Sequence, residues 1–506
     1  MLTHWSGVVA ITLASVVNAQ VSPVVGRDVL AAWYLEADRA WTSSQSAAAP
    51  TPDAVERANR EFDSATTAFF RLAFGEAIGT LRQMSARLTF PDLPPPGPID
   101  QPMVMEAAPR LWVKGEAPPR LSLVSIRPYA GQEAAKVSVQ LIASLDQPGI
   151  VAGANAPVNV EAHPAEMISA DLSTGLKELA GVIGTRPGRW TLTLADTRGV
   201  PLAYETLWTV ESSLAAIRVA NAPRLAALAG KVKPASLEAA ASRNRLLTDT
   251  PGRSNSAEFL ADFGTLPADV NREISELEAG RDPYPLDGTW WFTLGGEPVA
   301  EGQKRLSPIA CWASATPAKP GVKRPLIIAL HGAGGDESMF FRGYGAGALS
   351  RLSSEDGLVI ASPATGALMA SGSNFTRLVS ALGDWYDTDP DRIYVIGHSM
   401  GAGAASSLAQ RHAGQIAAVV CFAGGQVGKE KAICPMLFIA GEIDPLIPAS
   451  RLRPMALAAA GAGLPVEFRE KTGNGHTFIV GDHLPEAFEW LLVHRRNAAA
   501  EPREGP

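Results

Sequence analysis

The chain has 506 residues, 46% of them hydrophobic and 19% charged, and at about 150 residues per domain this implies roughly three domains with ample core. The apolar share excludes a disordered protein, and 47 Gly and 39 Pro are too few for a low-complexity one. A formal charge of −7 supplies no cationic field for phosphates, so no nucleic-acid partner is expected.

Residues 1–19 hold an apolar stretch from Trp5 to Val17, then Val17-Asn18-Ala19, a small-residue cleavage pattern. The stretch is too short to span a bilayer and reads as a secretory signal, although its start carries no Lys or Arg. The expected location is therefore secreted or periplasmic, with no membrane span after signal cleavage. The cysteines are three, Cys311, Cys421 and Cys434, too few for a disulfide scaffold. Cys421 lies well along one predicted strand and Cys434 at the entry of the next, so parallel alignment keeps them apart. Three free or buried thiols are expected, and no metal site.

Residues 20–98 read as a helical segment with a Pro-rich linker. Two helices are predicted over 27–88, separated by Ser43–Pro52. In the second, Phe70, Phe74, Ile78, Leu81 and Leu88 share one face, which reads as packing surface. Pro91–Pro98 then stiffens the chain. Over 99–212 the period becomes two, as in Lys136–Leu141 and Trp190–Leu194, and the turn Asp196–Gly199 leads to a strand through Trp208 and Val210. Several short strands predict a β-sandwich-like domain, read as packing scaffold or as a carbohydrate or partner module. Residues 213–282 return to helical composition as a connector.

From 283 to 497 strands and helices alternate, ahead of a tail at 498–506. Pro325–Leu330, Leu358–Ser362, Arg392–Ile396, Ile416–Phe422 and Pro435–Ala440 are short, continuous apolar runs suited to strands buried on both faces. Helices are expected near 374–386, 400–412, 449–460 and 485–495. The rhythm implies an α/β class unit with a mostly parallel sheet covered on both sides.

At the end of one such strand stands Gly397-His398-Ser399-Met400-Gly401, followed by small residues that open a helix. A serine on a tight strand-to-helix turn takes strained backbone angles, and glycines two residues away let strand and helix approach. Asp444 follows the next strand but one, in Gly441–Pro448, and His476 follows Val466–Arg469, in Gly473–Phe478. Their order suits a nucleophile, an orienting acid and a base: His476 takes the Ser399 proton, and Asp444 fixes its tautomer. The competing readings are Asp444 as a helix cap and Glu442 as the acid. His331-Gly332-Ala333-Gly334-Gly335-Asp336 brings bare N–H groups beside the serine, and the N–H groups of Ala333 and Met400 are the candidate oxyanion hole. It fits neither a dinucleotide nor a Walker phosphate loop. His398 either orders the turn or lines the cleft. Phe340, Phe341 and Tyr344 either line an acyl pocket or pack the first helix on the sheet; both readings stand.

Together LHGAGGDESMFF, the GHSMG elbow after DPDRIYVI, GEIDPLIP and GNGHTF resemble the α/β-hydrolase superfamily. More narrowly they resemble secreted esterases of the polyhydroxybutyrate depolymerase, feruloyl esterase and predicted-peptidase group. The resemblance covers about 283–497. It implies a Ser399, Asp444, His476 triad and no metal or organic cofactor. Only Gly424–Ile433 separates two core strands after the nucleophile, so a large lid is not expected there. The expected activity is hydrolysis of carboxylic esters, small or polymer-linked, through a Ser399 acyl-enzyme. The alternatives are a serine peptidase of the same fold and a non-catalytic envelope binding protein on this scaffold.

Overall fold

The computed structural model describes residues 25–92, 101–146, 153–296, 306–315, 321–428 and 433–496. The expected signal segment, most of the Pro-rich run and the tail lie outside the described residues.

The chain opens with three helices, α1 (Arg27–Ala47), α2 (Pro52–Phe70) and α3 (Phe74–Thr89). Thr51 caps α2 by accepting the Ala54 N–H, and Pro52 sits at the first helical position, where its missing N–H costs nothing. The single second helix predicted through Phe70 and Phe74 is instead two. Leu72 adopts φ 61° between them, and Phe70 is 46% exposed rather than part of the helix core. Ile78 and Leu81 are buried with Trp33, Trp41 and Phe62 in a core that these helices share with Phe478.

The next region contains β1 (Met103–Ala108), β2 (Leu111–Val113), β3 (Arg120–Pro128), β4 (Ala135–Leu145), β5 (Gly153–Ala162), β6 (Met167–Asp171), β7 (Gly188–Ala195) and β8 (Pro201–Val210). They form a three-stranded sheet, β1-β3-β6, and a five-stranded sheet, β2-β8-β7-β4-β5. Met103, Leu121 and Leu123 of the smaller sheet meet Leu141, Leu192 and Leu194 of the larger in one core. A helix that the strand-period reading missed, α4 (Ser173–Ile183), seals that core with Leu176 and Leu179. Four helices follow: α5 (Leu214–Ala227), α6 (Pro234–Arg245), α7 (Ser256–Phe259) and α8 (Leu266–Glu278). Arg110 joins this half together, bonding Asp28 of α1 at 2.6 Å and also Glu205 of β8, while Arg253 reaches Asp28 at 3.2 Å. Each of these charges thereby has an opposite partner, which offsets part of the desolvation cost a lone buried ion would carry.

The last part is built on an eight-stranded sheet of β9 (Gly288–Gly296), β10 (Leu306–Ala315), β11 (Arg324–Leu330), β12 (Val359–Pro363), β13 (Thr388–His398), β14 (Ala418–Phe422), β15 (Met436–Gly441) and β16 (Val466–Lys471). The order is β16-β15-β14-β13-β11-β12-β10-β9. Strands β11 to β16 are mutually parallel, whereas β9 and β10 run antiparallel at one edge and were not predicted. Along β11, Leu326, Ile328 and Leu330 face one core while Ile327 and Ala329 face another. The first core is closed by α12 (Asn374–Tyr386), α13 (Met400–Arg411) and α14 (Ala449–Gly461). The second is closed by α10 (Tyr344–Asp356) and α15 (Phe478–Leu492), with the short α9 (Met339–Arg342) and α11 (Thr365–Met369) in connecting segments. This is the doubly covered, mostly parallel sheet read from the apolar runs. Strand β13 lies beside β11 rather than β12, and at such a reversal of strand order the loops beyond the carboxyl ends of the strands part into a crevice. The last helix begins at Phe478, not near 485, so His483 lies inside it and is half-buried. Cys311, Cys421 and Cys434 are buried free thiols. No helix among the described residues is long and apolar enough to cross a membrane.

Candidate active site

Ser399 sits at the junction of β13 and α13 with φ 54° and ψ −114°, a conformation that costs a non-glycine residue free energy and points its side chain out of the turn. The surroundings enforce it. Its N–H donates to the Phe422 carbonyl of β14 at 2.9 Å. A Cβ at Gly397 would stand 2.2 Å from the Gly401 oxygen, and one at Gly401 would stand 2.0 Å from the Leu330 oxygen. The two flanking glycines are therefore required by backbone packed on backbone.

Asp444 follows β15 and His476 follows β16, and the fold brings them into contact. His476 Nδ1–H donates to Asp444 Oδ2 at 2.8 Å, while Asp444 Oδ1 accepts the N–H groups of Leu446 and Ile447, each at 2.8 Å. Both residues are 3% exposed. Burial alone would raise the Asp444 carboxyl, but the bond and charge of His476 and these two N–H donors outweigh it and hold it below its usual value. The acceptor at Nδ1 fixes the proton there and leaves Nε2 as the basic nitrogen. Glu442, the rival acid, is exposed and accepts the Gly473 N–H at 3.0 Å, away from the imidazole. Ser399 and His476 line one cavity; among the described residues the Ser399 hydroxyl makes no hydrogen bond.

Gly332, Ala333, Gly334 and Gly335 line the same cavity, and the Gly335 N–H closes a turn onto the Gly332 carbonyl at 3.2 Å. Met400, whose N–H opens α13, is 45% exposed. His331 braces this loop from beneath: its Nδ1–H donates to the Gly332 carbonyl at 2.9 Å and its Nε2 accepts the Thr365 N–H at 3.1 Å.

His398 does both things expected of it. It lines the cavity and orders the turn, for its Nε2–H donates to the His476 carbonyl at 2.9 Å and its Nδ1 accepts the Tyr344 hydroxyl at 2.8 Å. Tyr344 in turn accepts the Gly332 N–H at 3.4 Å. One buried chain of bonds thus links the glycine-rich loop, the elbow and the His476 loop. Burial, reinforced by the neighbouring His476, pushes His398 down to about 3, so it stays neutral and its tautomer is set by these partners.

Tyr344 also lines the cavity, but Phe340 and Phe341 do not. Phe340, on α9, is fully buried in the core that also holds Ile327 and Ala329, and half-buried Phe341 packs on the same core. The packing reading therefore holds for these two, because consecutive residues of a one-turn helix cannot all face the cleft. The aromatic wall comes from elsewhere in the chain: Tyr34 of α1, Phe62, Phe69 and Phe70 of α2, and Phe259 of α7. The cavity opens to solvent, and the empty space in and at the mouth of it, open solvent included, is about 1090 Å³.

These N-terminal helices also bind the loops around the cavity directly, a role not read from the sequence. Arg27 donates to the Gly335 carbonyl at 2.7 Å and pairs with Asp336 at 3.3 Å. Asp38 accepts the N–H groups of Gly345 and Ala346, which open α10 with left-handed φ of 70° and 52°. Asn59 accepts the Gly475 N–H at 2.8 Å and Asp63 accepts the His476 N–H at 2.6 Å. Trp41 and Gln45 hold Asp482, which also accepts from Asn474 at 3.1 Å. A signal existed: Asn59 and Asp63 sit four residues apart on the apolar face that carries Phe62, and polar groups inside an apolar stripe need partners. No group of three or more metal-binding side chains occurs among the described residues.

A doubly covered, mostly parallel sheet with a strained serine at a strand-to-helix elbow and an Asp–His pair after the later strands is the α/β-hydrolase fold. Residues 368–501 match the Dienelactone hydrolase family. Similar solved structures include a ferulic acid esterase, 16% identical, with 40% of this chain and 96% of that one covered and a TM-score of 0.34. A thermostable esterase is 15% identical, with 78% of this chain and 99% of that one covered and a TM-score of 0.35. A putative dienelactone hydrolase from Klebsiella pneumoniae is 15% identical, with 41% and 99% covered and a TM-score of 0.30. No curated protein sequence matches the chain.

Proposed function

We propose that the protein is an exported carboxylic ester hydrolase that works through a Ser399 acyl-enzyme. The observation that carries this reading is the 2.8 Å bond from His476 Nδ1 to Asp444 at the edge of a cavity that also holds Ser399. In the reading, His476 Nε2 takes the Ser399 proton as Oγ attacks the ester carbonyl. The proton then passes to the leaving alcohol, and water releases the acid by the same route in reverse. Asp444 stabilises the imidazolium between these steps. The N–H groups of Ala333 and Met400 receive the oxyanion, each contributing about 2.7–4 kcal/mol in the transition state. The wall of Tyr34, Phe62 and Phe69 suits an ester with an apolar or aromatic part, since little of that wall can hydrogen-bond to a polar one. Export rests on the apolar run at residues 5–17.

The test is to treat the protein and its Ser399→Ala variant with a fluorophosphonate probe, then assay nitrophenyl esters of graded chain length, feruloyl esters and peptide anilides. Labelling of the native protein alone, with ester turnover far above anilide turnover, is expected. An unlabelled native protein removes the serine-nucleophile reading, and comparable amide turnover reassigns the enzyme as a peptidase.

A further inference from the structure

We infer that Asp63 and Asn59, on a helix outside the hydrolase unit, are positioning residues for the base: they hold the His476 loop in register, and Asp63 supplies it with a second carboxylate. The inference rests on the proposed role of His476 as base. Its substance is geometric. The two side chains, one helical turn apart on α2, meet consecutive N–H groups of the loop, Gly475 at 2.8 Å and His476 at 2.6 Å. Asn59 is itself oriented, donating to the Val55 carbonyl at 2.9 Å. The fit leaves no slack: a Cβ at Gly475 would stand 2.0 Å from Asp63 Oδ2. One residue from Asp63, Phe62 packs its ring 4.2 Å from that of Phe478, just past the loop.

Packing alone does not account for a carboxylate here. Asp63 is 3% exposed, and its Oδ1 is buried with no hydrogen-bond partner, so an ionised group is kept at a desolvation cost that an amide would avoid. The titratable groups facing it are Tyr34 from α1 and His476 and Asp444 from the hydrolase loops. Among these His476 alone gains positive charge during the proposed reaction. A second negative group beside it favours that imidazolium, as Asp444 does from the ring side. Burial pushes Asp63 up to about 6, against the pull of its bond to the His476 N–H.

The experiment compares the full-length protein with its Asp63→Asn and Asn59→Ala variants, using fluorophosphonate labelling, thermal melting and pH profiles of nitrophenyl ester hydrolysis. Asp63→Asn keeps shape and one acceptor but loses charge. It is expected to lower kcat about tenfold to a hundredfold with little change in KM. It should also move the acid limb of the kcat/KM profile to lower pH, because a histidine without the neighbouring charge loses its proton more readily. Asn59→Ala removes an acceptor but no charge, so it should lower kcat without moving the limb. If the native protein labels and turns over while Asp63→Asn leaves both kcat and the limb in place, the positioning role is overturned although the esterase reading survives. If kcat falls only in proportion to lost folding, with the limb fixed in both variants, Asp63 is merely structural and the inference is again overturned. An unlabelled native protein overturns the reading on which the inference stands.

Discussion

Arg27, the first residue of α1, donates to the carbonyl oxygen of Gly335 at 2.7 Å across 308 positions of sequence. The same guanidinium reaches the Gly334 carbonyl at 3.3 Å and Asp336 at 3.3 Å. A glycine-rich loop gains close approach to a nucleophile at the expense of stiffness, and here the stiffness is returned by a side chain from the other end of the protein. Arg27→Ala should therefore lower kcat/KM for nitrophenyl esters by about tenfold through a looser loop. The partly exposed ion pair contributes only about 0.2–1 kcal/mol, so the melting temperature should barely move. A variant with native kinetics would show that the loop holds its shape unaided.

Asp444 and Glu442 stand two residues apart yet do different work. Asp444 bonds the imidazole, whereas Glu442 holds the Gly473 N–H of the loop before it. Asp444→Asn should reduce turnover by about 10⁴-fold, since an amide in that place permits the wrong tautomer. Glu442→Gln, still an acceptor for Gly473, should stay within a few-fold of the native enzyme, a limit set by the small worth of one partly exposed hydrogen bond, about 0.5–1.5 kcal/mol. Steady-state kinetics on the two variants decides the matter, and the opposite ranking would transfer the acid's role to Glu442.

Phe340 and Phe69 separate stability from specificity. Phe340, on α9, is fully buried, so Phe340→Ala should cost about 3–5 kcal/mol in denaturant unfolding. Phe69 lies on the cavity wall, its ring 6.4 Å from that of Tyr34. Phe69→Ala should lower the unfolding midpoint less than Phe340→Ala does, while raising KM more for aromatic esters than for acetyl esters. Equal KM changes for both substrates would remove Phe69 from the binding surface.

The parallel strands and the elbow were legible in the sequence because a strand buried on both faces must be apolar throughout, and because a strained serine needs glycines where a Cβ would meet backbone. Asp444 and His476 were legible for a related reason: each stands in a turn directly after such a strand. The antiparallel pair β9 and β10 was not, since β10 begins exposed at Leu306, Ser307 and Pro308 and its inward residues alternate with half-buried ones. The break at Leu72 was equally hidden, for the apolar spacing from Phe70 to Leu88 runs straight through it. Least legible were the residues of the cleft wall, although a hydrolase unit with no large lid leaves residues 20–282 to serve as cleft wall or substrate-docking surface. Periodicity shows that α2 has a face to bury but not what it buries it against, and the bond from His476 to Asp63 spans 413 positions. The lone trace of that bond was a polar pair inside an apolar stripe.

Asp38 gives the junction a pH dependence with a definite sign. It is 5% exposed and accepts the N–H groups of Gly345 and Ala346, pinning the left-handed turn that leads into α10. Burial raises its carboxyl from 3.8 to about 6; the two N–H donors and Arg39 oppose this, while Asp482 adds to it. A carboxyl raised on folding contributes stability that is fully present below its unfolded pKa and is lost as pH rises through the folded one. The window is therefore between about pH 4 and 6, and the change amounts to roughly 2–3 kcal/mol at 1.36 kcal/mol per pKa unit. Asp38→Asn cannot ionise and carries one acceptor oxygen in place of two, so it is less stable than the native protein at low pH. Its deficit should shrink as pH climbs from about 4 to 7, which differential scanning calorimetry of both proteins at several pH values would reveal. A deficit that grows with pH would mean that the ionised carboxylate is the stabilising form, and that its hydrogen bonds to the left-handed turn outweigh the cost of burying its charge.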